Sequence, residues 1–562
     1  MGDSETSVGH VDDAERAVAP RGSSRYWSRL RPRIIGMLLP IGGLAILAIA
    51  LFFCYLRISD TQPVTSDGAS NALQAWDMLH GNVLLSGWTL TDVSFYTTEL
   101  PEYMIVEAIR GLGAFDVHDA AAATYTLLAL LAGLTARGSA TGRAGLLRFA
   151  IALGIMIAPE FGPGAFILLL SPDHVGTGVP LLLTWLLLDR LPPRRSTAVV
   201  VGLLLAWISV GDRLAALVAA VPIAIVCYLR FRRARQRDSE LTLARSFEAW
   251  LGLSVLCSIP ASLVATKVIG LLGGFREDPL SLGVASPTAW WPHLVITAEG
   301  ILGQYGADFT NRRFGVFVVV ALIHVCGLIL ALAGFYLGYR MLRRGDDLVI
   351  SAMTVAVALT LAVFVFSDLP QSYWDTREIA PVLPYGAVLA GRLLAPRLRS
   401  RSLRPFLVVW PVLYLFALAY AVAQPAQPAR HQDLADWLVA HHMTCGLGSY
   451  AVANSTTLDS GGRVSVRAPT WTSEAAYQGS YQSLNFWYRP TACTATFVVS
   501  TQADGADFAI PAQWVRAAFG APVRTISWHG YTIWIWNKNL LNDLRPASQH
   551  AAPVGGYVQL TT

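Results

Sequence analysis

Apolar and polar positions alternate along this chain in long blocks. The first apolar block, 34–56, is long enough to cross the hydrocarbon core of a bilayer as a helix. Ten further blocks follow, at about 120–136, 145–158, 178–191, 196–210, 214–229, 246–273, 315–340, 348–366, 379–394 and 405–423. The pattern predicts a polytopic α-helical membrane protein with about eleven transmembrane helices.

Three stretches are too polar to span a membrane. Residues 1–33 lack hydrophobic periodicity and predict a disordered basic tail. Between the first two spans of the transmembrane domain, 34–423, lies a large first loop, 57–119, with helical patterns at about 68–79 and 101–112. Residues 424–562 mix helical and strand-like patterns and predict a small α+β domain. Within it, His529-Gly530 between two β-prone runs predicts a hairpin.

The charge pattern predicts which side of the membrane each segment occupies. Lys267 and Lys538 are the only lysines, and most of the arginines sit in alternate short loops. By the positive-inside rule those loops and the N-terminus are cytoplasmic. The first loop and the C-terminal domain are then extracytoplasmic. No small-residue cleavage pattern follows the first span closely, so we expect it to be a retained anchor. Arginine in place of lysine favours a bacterial source, and hence a bacterial cytoplasmic (plasma) membrane.

Composition excludes several classes of function. With 54% hydrophobic and 14% charged residues, the chain is too apolar for a soluble globule. The net charge of +5 reflects loop arginines and predicts no nucleic-acid partner. No Walker loop, dinucleotide glycine pattern or Ser-His nucleophile arrangement is present, so soluble nucleotide donors are not expected. Cys445 and Cys493 lie in the polar C-terminal segment, where an oxidising compartment would allow them to pair.

The first loop carries carboxylates suited to acid–base chemistry at a membrane surface. Asp67 follows the first span and opens a helical pattern, so it could take a proton from an incoming hydroxyl or amine. The alternative is that Asp67 is only the N-cap of that helix. Asp92, Glu99 and Glu102 follow, and each is either an additional candidate base or an ordinary solvated carboxylate.

The order of features in this loop resembles a known family. A basic tail, one span, Asp67, Met78 followed by Gly81-Asn82, and a segment from Phe95 to Tyr103 resemble the first loop of the GT-C superfamily of integral-membrane glycosyltransferases. The protein mannosyltransferase and aminoarabinose-transferase type is the most similar. The resemblance implies a polyprenyl-phosphate-linked sugar donor and an acidic catalytic base, Asp67. Many members have adjacent acids here, whereas this chain has Gly68. Asp92, Glu99 or Glu102 could therefore share or hold the role.

A later segment extends the resemblance. Arg377, followed by two prolines three residues apart, is similar to the GT-C segment in which an arginine or tyrosine meets the donor phosphate. The resemblance implies that Arg377 and Tyr373 are donor-phosphate contacts. The alternative for Arg377 is a local salt bridge to Asp375 or Glu378, which would contribute little stability.

Further candidates lie at predicted extracytoplasmic boundaries. Arg312 breaks the positive-inside trend, which binding of a lipid phosphate or contact with anionic headgroups would explain. Arg213 either forms a local ion pair in a turn or faces an anionic donor. Asp173 and His174 could ligate a divalent metal ion, the one cofactor considered. The alternative is a helix-capping Asp beside an interfacial His.

These features predict a glycosyltransferase of the cell envelope. It would move a sugar from a polyprenyl-phosphate-linked donor to a glycan, lipid or protein acceptor at the outer face of the cytoplasmic membrane. A transporter or flippase of a lipid-linked sugar is one alternative, and a structural assembly partner without catalysis is another. Convergence of Asp67, Asp173, His174 and Arg377 on one cleft at the level of the membrane would favour the enzyme hypothesis.

Overall fold

The structure is a computed structural model that describes most of the chain. The described residues are 23–238, 240, 242–277, 282–310, 313–345, 347–398, 404–479, 481–502 and 509–547. The chain divides between Ala50 and Leu51 into two compact units. The tertiary contacts described for this protein lie within the second unit. Most of the predicted disordered tail, 1–33, falls outside the described residues.

Helices dominate the chain up to residue 422. In the described residues they are α1 (Ser23–Ser59), α2 (Ser66–Leu79), α3 (Leu100–Arg110), α4 (Phe115–Arg137), α5 (Gly142–Met156), α6 (Pro163–Leu168), α7 (Gly178–Arg190), α8 (Arg195–Gly211), α9 (Val221–Arg237), α10 (Phe247–Leu271), α11 (Trp290–Gln304), α12 (Val316–Arg344), α13 (Leu348–Phe366), α14 (Val382–Leu398) and α15 (Arg404–Val422). A π-helix, Ala216–Ala220, leads into α9, and a 3-10 helix, Tyr373–Ile379, precedes α14. Helices α2 and α3 confirm the two helical patterns predicted in the first loop.

Fewer helices reach spanning length than the sequence pattern predicts. In the described residues five are long and apolar enough to cross a membrane, namely Ile41–Ser59 within α1, and α4, α10, α12 and α13. A sixth arises if the 3-10 helix and α14, bent by 46°, form one span. The predicted count of eleven is not confirmed. Each predicted block overlaps a helix, but α5 and α7 have 15 and 13 residues. At 1.5 Å per residue such helices cover roughly 20 Å of a hydrocarbon core about 30 Å thick.

Small residues allow the helices to approach closely around α14. This helix packs against α4, α5 and α12, and nearly all of its side chains are buried. A Cβ at Gly391 would lie 2.6 Å from the carbonyl oxygen of Arg148. A Cβ at Gly334 of α12 would lie 2.5 Å from the backbone nitrogen of Ala390. Glycine therefore permits backbone contact on two sides of α14, as is common between membrane helices. This packing fixes the position of α14, the helix that directly follows the 3-10 helix Tyr373–Ile379.

The region after α15 contains most of the strands. The described strands of the chain are β1 (Trp88–Leu90), β2 (Arg276–Glu277), β3 (Cys445–Gly448), β4 (Ser465–Arg467), β5 (Thr470–Trp471), β6 (Ala476–Tyr477), β7 (Ser483–Leu484), β8 (Phe497–Thr501), β9 (Arg524–Trp528) and β10 (Tyr531–Ile535). Five of them form a sheet in the order β4-β3-β8-β10-β9, in which β3 is parallel to β4 and β8 while β10 is antiparallel to β8 and β9. Helices α16 (Gln432–Ala440), α17 (Tyr450–Asp459) and α18 (Ala512–Phe519) accompany the sheet.

Two features of this C-terminal region follow from local chemistry. Strands β9 and β10 pair directly beside the turn, with Trp528 opposite Tyr531. His529 and Gly530 both have positive φ, 48° and 86°, as a two-residue turn of type I′ requires. The predicted hairpin is confirmed. A disulfide joins Cys445 of β3 to Cys493, so the predicted pairing is present in the structure.

A second, small sheet ties distant segments together. Its order is β2-β1-β7, with Thr89 of β1 opposite Arg276 in a parallel pair and Trp88 opposite Leu484 in an antiparallel pair. The first loop thus lies between the segment after α10 and the C-terminal region. The boundary predicted between 34–423 and 424–562 remains a prediction, because the contacts of β1 with β7 cross it.

Candidate functional site

Asp67 is the second residue of α2 and does not cap the helix. The N-cap is Thr65, whose hydroxyl accepts a hydrogen bond from the amide of Gly68 at 3.4 Å. The Asp67 carboxylate is therefore available for tertiary contacts. Gly68, where the resemblance leads one to expect a second acid, faces α4. A Cβ at this position would lie 2.9 Å from the side chain of Val117, so the packing leaves no space for a carboxylate.

Arg377 reaches both candidate carboxylates from the 3-10 helix. Its Nη1 lies 3.7 Å from Oδ2 of Asp67 and 3.9 Å from Oδ2 of Asp173. Its guanidinium carbon lies 4.2 Å from the centre of the Trp374 ring, a cation–π distance. The side chains of Arg377 and Asp67 are 16% and 17% exposed, and Nη1 of Arg377, which faces both carboxylates, is buried.

A capping box orients the helix that carries Arg377. The Asp375 carboxylate accepts hydrogen bonds from the amides of Gln371, at 2.9 Å, and Ser372, at 2.6 Å. In return, the Ser372 side chain caps the first turn. Asp375 is thus engaged by backbone donors, while Arg377 lies within 4 Å of Asp67 and Asp173. The local salt bridge of Arg377 to Asp375 or Glu378 remains an alternative prediction.

Asp173 lies in the turn between α6 and α7 and is almost fully buried. Asn71 donates to its Oδ1 at 2.6 Å, and the hydroxyl of Ser171 donates to its Oδ2 at 2.9 Å. Burial raises the pKa of Asp173, and the charge of Arg377 opposes that rise. Asn71 is four residues after Asp67 on α2, so the two side chains lie on the same face of this helix. That face carries the Asp67 carboxylate and, through Asn71, contacts the Asp173 carboxylate.

His174 belongs to a neighbouring network. Its Nδ1 lies 3.0 Å from Oδ2 of Asp212, and the hydroxyl of Thr177 lies between Asp212, at 3.0 Å, and Oε1 of Glu99, at 2.9 Å. Burial alone lowers the pKa of His174, but the Asp212 carboxylate outweighs it and the net pKa is raised. Burial, and next the charge of Asp212, raise the pKa of Glu99 well above its ordinary value. Since Glu99 also accepts from the amide of Thr177 at 2.7 Å, it ties the turn around His174 to the first loop.

The remaining first-loop acids have different surroundings. Asp92 is half-buried and close enough to Glu277 and Glu378 to interact electrostatically with both. Glu102 accepts a hydrogen bond from Thr124 of α4. The structure therefore gives Glu102 an interhelical contact, whereas Asp92 lies near Glu277, the partner of Arg213, and near Glu378, which follows Arg377 in the chain.

The other predicted phosphate contacts are only partly brought together. Arg213 forms an ion pair with Glu277, which is 64 residues away in the sequence, so this is not the local pair in a turn that the sequence offered as an alternative. Tyr373 stands at the start of the 3-10 helix, and its hydroxyl donates to the carbonyl of Pro163 at 3.1 Å. Arg312 lies outside the described residues.

The described side chains do not fit a metal site. Asp173 and His174 are adjacent, yet their side chains have separate partners, Asn71 and Ser171 for the first and Asp212 for the second. Among the residues that the structure describes, no group of three His, Cys, Asp or Glu side chains is placed to hold a metal ion. The divalent metal ion remains a prediction, and the reaction that we propose for this protein does not depend on one.

Four neighbours of the candidate residues were not predicted as site residues. They are Asn71, Trp374, Asp212 and Tyr450. The spacing of Asn71 from Asp67 is a signal that could have been found. No local sequence pattern indicates Tyr450. Its hydroxyl donates to Oδ1 of Asp67 at 2.7 Å, but the two residues are 383 positions apart in the sequence.

Comparison with known proteins adds a structural similarity. No protein-family model and no curated protein matches the sequence. The chain is similar to the Archaeoglobus fulgidus oligosaccharyltransferase in its crystal structure with Zn and sulfate, at 13% identity and TM-score 0.46, over 82% of this chain and 67% of that one. The structure of archaeal oligosaccharyltransferase AglB from Archaeoglobus fulgidus, in complex with an inhibitory peptide and a dolichol-phosphate, is also similar. Its sequence identity to this chain is 11% and the TM-score is 0.45, over 89% of this chain and 74% of that one.

A third structure of that enzyme, tethered with an acceptor peptide containing the NVT sequon, gives 12% identity and TM-score 0.44 over 82% of this chain and 69% of that one. All three neighbours are structures of the Archaeoglobus fulgidus oligosaccharyltransferase. Their TM-scores lie below 0.5, so the proposals below rest on the geometry of the site itself.

Proposed function

We propose that this protein is a membrane glycosyltransferase that moves a sugar from a polyprenyl-phosphate-linked donor to an acceptor. The observation that carries the proposal is the convergence of Asp67, Asp173 and Arg377 from three distant segments. A guanidinium recognises phosphate by charge-assisted hydrogen bonds, and a nearby carboxylate can accept a proton. Both groups stand in one partly exposed cluster.

In the proposed reaction Arg377 binds the phosphate of the donor. An acceptor hydroxyl attacks the anomeric carbon, a C–O bond forms there, and its proton passes to Asp67. The bond between the anomeric carbon and the phosphate oxygen breaks, and the lipid phosphate leaves with the electron pair. Arg377 stabilises the charge that develops on that oxygen. Attack opposite the leaving group inverts the configuration of the sugar.

The resting contacts are compatible with this use. At 3.7 Å, Arg377 and Asp67 are farther apart than the 2.7–2.9 Å typical of a charge-assisted hydrogen bond. An arriving phosphate therefore does not have to break a hydrogen bond between Arg377 and Asp67. We place the site at the outer face of a bacterial cytoplasmic membrane, supported by the arginine distribution and by the disulfide.

Label transfer from radiolabelled undecaprenyl- or decaprenyl-phosphate sugars to cell-envelope extract tests the proposal. Wild-type protein in detergent or vesicles should transfer label. Asp67→Asn should lower kcat by about 100-fold or more, the usual contribution of a general base. Arg377→Gln should lower kcat/KM for the donor by a similar factor, because it removes a charged contact to the phosphate.

The chain offers a matched control pair. Arg57 and Asp60 form an exposed ion pair of similar length, 3.6 Å, at the end of the first span. Arg57→Gln and Asp60→Asn should leave transfer unchanged. Undiminished transfer in the Asp67 and Arg377 variants would remove the site assignment. Movement of intact donor across vesicles, without label on any acceptor, would instead favour the transporter or flippase alternative.

A further inference from the structure

The C-terminal domain contacts the candidate base directly. Tyr450, the first residue of α17, donates its hydroxyl to Oδ1 of Asp67 at 2.7 Å. The side chain is buried, with 7% of the residue exposed. Tyr450 is therefore held in the protein interior with its polar end on the carboxylate.

Further contacts fix the tyrosine in this position. The hydroxyl of Ser66, the neighbour of Asp67 on α2, donates to the backbone carbonyl of Tyr450 at 2.5 Å. The ring of Tyr481 meets the Tyr450 ring edge-on, with centroids 5.2 Å apart. Both the backbone and the ring of Tyr450 are thus fixed relative to Asp67.

A second connection lies further along α2. The side-chain amide of Gln74 donates to the side-chain oxygen of Gln482 at 3.2 Å. The hydroxyl of Ser70 lies 3.5 Å from the Gln482 backbone carbonyl. The C-terminal domain is therefore attached to two successive turns of the helix that carries the candidate base.

We propose that Tyr450 is a positioning residue for Asp67, an inference that rests on the proposed function. By engaging Oδ1, the tyrosine leaves Oδ2 directed toward Arg377 and the reacting groups. The charged groups facing this carboxylate are Arg377, at 3.7 Å, and Asp173, which shares the same guanidinium.

The physical reason is the competition for one carboxylate. Pairs of an arginine and a carboxylate are frequently bidentate, with both carboxylate oxygens engaged. The Tyr450 hydrogen bond keeps one oxygen out of that pair, and the Asp67–Arg377 separation stays beyond hydrogen-bonding distance. Loss of the hydroxyl allows the pair to close, so that both groups are withdrawn from their substrates.

The test is Tyr450→Phe in the transfer assay, with KM for the donor and kcat measured separately. The variant keeps the ring against Tyr481 and removes only the hydroxyl. We expect kcat to fall about 10-fold to 100-fold, the range for a hydrogen bond to a charged group, with donor KM changed less than 3-fold. Ser66→Ala, which keeps the hydroxyl but releases the Tyr450 carbonyl, should give a smaller fall in kcat. It also serves as the second variant if Tyr450→Phe does not fold.

Two comparisons separate positioning from a structural role. In the Asp67→Asn background, Tyr450→Phe should have no further effect on the residual rate, because the two residues act as a unit. Tyr488→Phe is the matched control, since Tyr488 is also buried in the C-terminal domain and donates to the carbonyl of Ala468 at 2.7 Å. It should leave kcat unchanged even where thermal unfolding shows a similar loss of stability.

The outcomes distinguish this inference from the function on which it rests. Transfer by wild type with an unchanged kcat in Tyr450→Phe overturns the positioning role alone. Equal falls in kcat with and without Asp67 overturn it as well, because they show an effect on the fold. Wild-type protein that transfers no label to any acceptor overturns both proposals.

Discussion

Glu107 of α3 is a buried carboxyl group that makes the stability of the protein depend on pH. It is 2% exposed, and within the described residues neither of its carboxyl oxygens has a hydrogen-bond partner. Burial, and next the charge of Asp116, raise the pKa of Glu107 to about 10. In the unfolded chain a glutamate titrates near about 4.3. The folded state therefore keeps a proton that the unfolded state loses between these two values, and the free energy of unfolding falls as pH rises through that window.

Replacing Glu107 by Gln should remove this pH dependence. We expect the Glu107→Gln variant to be more stable than wild type at pH 8 by at least about 1.4 kcal/mol, the equivalent of one pKa unit. The difference should shrink toward pH 4. Thermal unfolding from pH 4 to pH 9 measures it, with the exposed Glu474→Gln as the control. Parallel pH profiles for wild type and Glu107→Gln would contradict the assignment.

Among the secondary-structure elements, the 3-10 helix Tyr373–Ile379 determines where Arg377 lies, and it has only seven residues. Such a short 3-10 helix has poor hydrogen-bond geometry of its own. We expect its stability to depend on the capping box, in which the Asp375 carboxylate accepts hydrogen bonds from the backbone amides of Gln371 and Ser372. Asp375 should therefore act on the site only through the position of Arg377.

Asp375→Ala should lower stability by about 1–2 kcal/mol, the usual effect of losing an N-cap partner. Because the first turn then frays, we also expect donor KM to rise several-fold while kcat falls less. Ser246→Ala is the control, since it removes the N-cap of α10 far along the chain from this helix. That variant should lose stability without a change in donor KM. A similar KM in both variants would show that the capping box does not position Arg377.

Elements governed by local chemistry could be predicted from the sequence. The β9–β10 hairpin followed from His529-Gly530, and α2 followed from an apolar pattern within the first loop. Helix α11 was not predicted, because it lies between the apolar blocks 246–273 and 315–340, where the sequence pattern gives no block of spanning length. The count of eleven spans is not confirmed, because some of the predicted blocks are themselves short: the block 178–191 matches α7, which has only 13 residues.

The site itself could be predicted only in part. Asp67 and Arg377 were identified because each stands in a short segment that resembles a known family. Tyr450 could not be identified from the sequence, because its contact with Asp67 joins residues that are 383 positions apart and follows from no local pattern. The β2-β1-β7 sheet is another such case, since no local pattern specifies the register of strands from three distant segments.

In the molecule as a whole, the C-terminal region contacts the candidate base through Tyr450, so the compartment of this region would decide where the proposed reaction takes place. The disulfide between Cys445 and Cys493 indicates that compartment, because structural disulfides persist in oxidising environments and are rare in the bacterial cytoplasm. The other four cysteines, Cys54, Cys227, Cys257 and Cys326, are free. An extracytoplasmic domain therefore predicts one disulfide and four thiols in protein isolated from intact cells.

Counting thiols before and after reduction tests this orientation. Cells lysed in denaturant with a polyethylene-glycol maleimide should give protein carrying four labels, and six after reduction. The double variant Cys445→Ser/Cys493→Ser should carry four labels with or without reduction. Its domain should also be less stable by about 4 kcal/mol, from the chain entropy of a closed loop of 48 residues. Six labels without reduction in the wild type would place the domain in a reducing compartment and contradict the proposed location of the reaction.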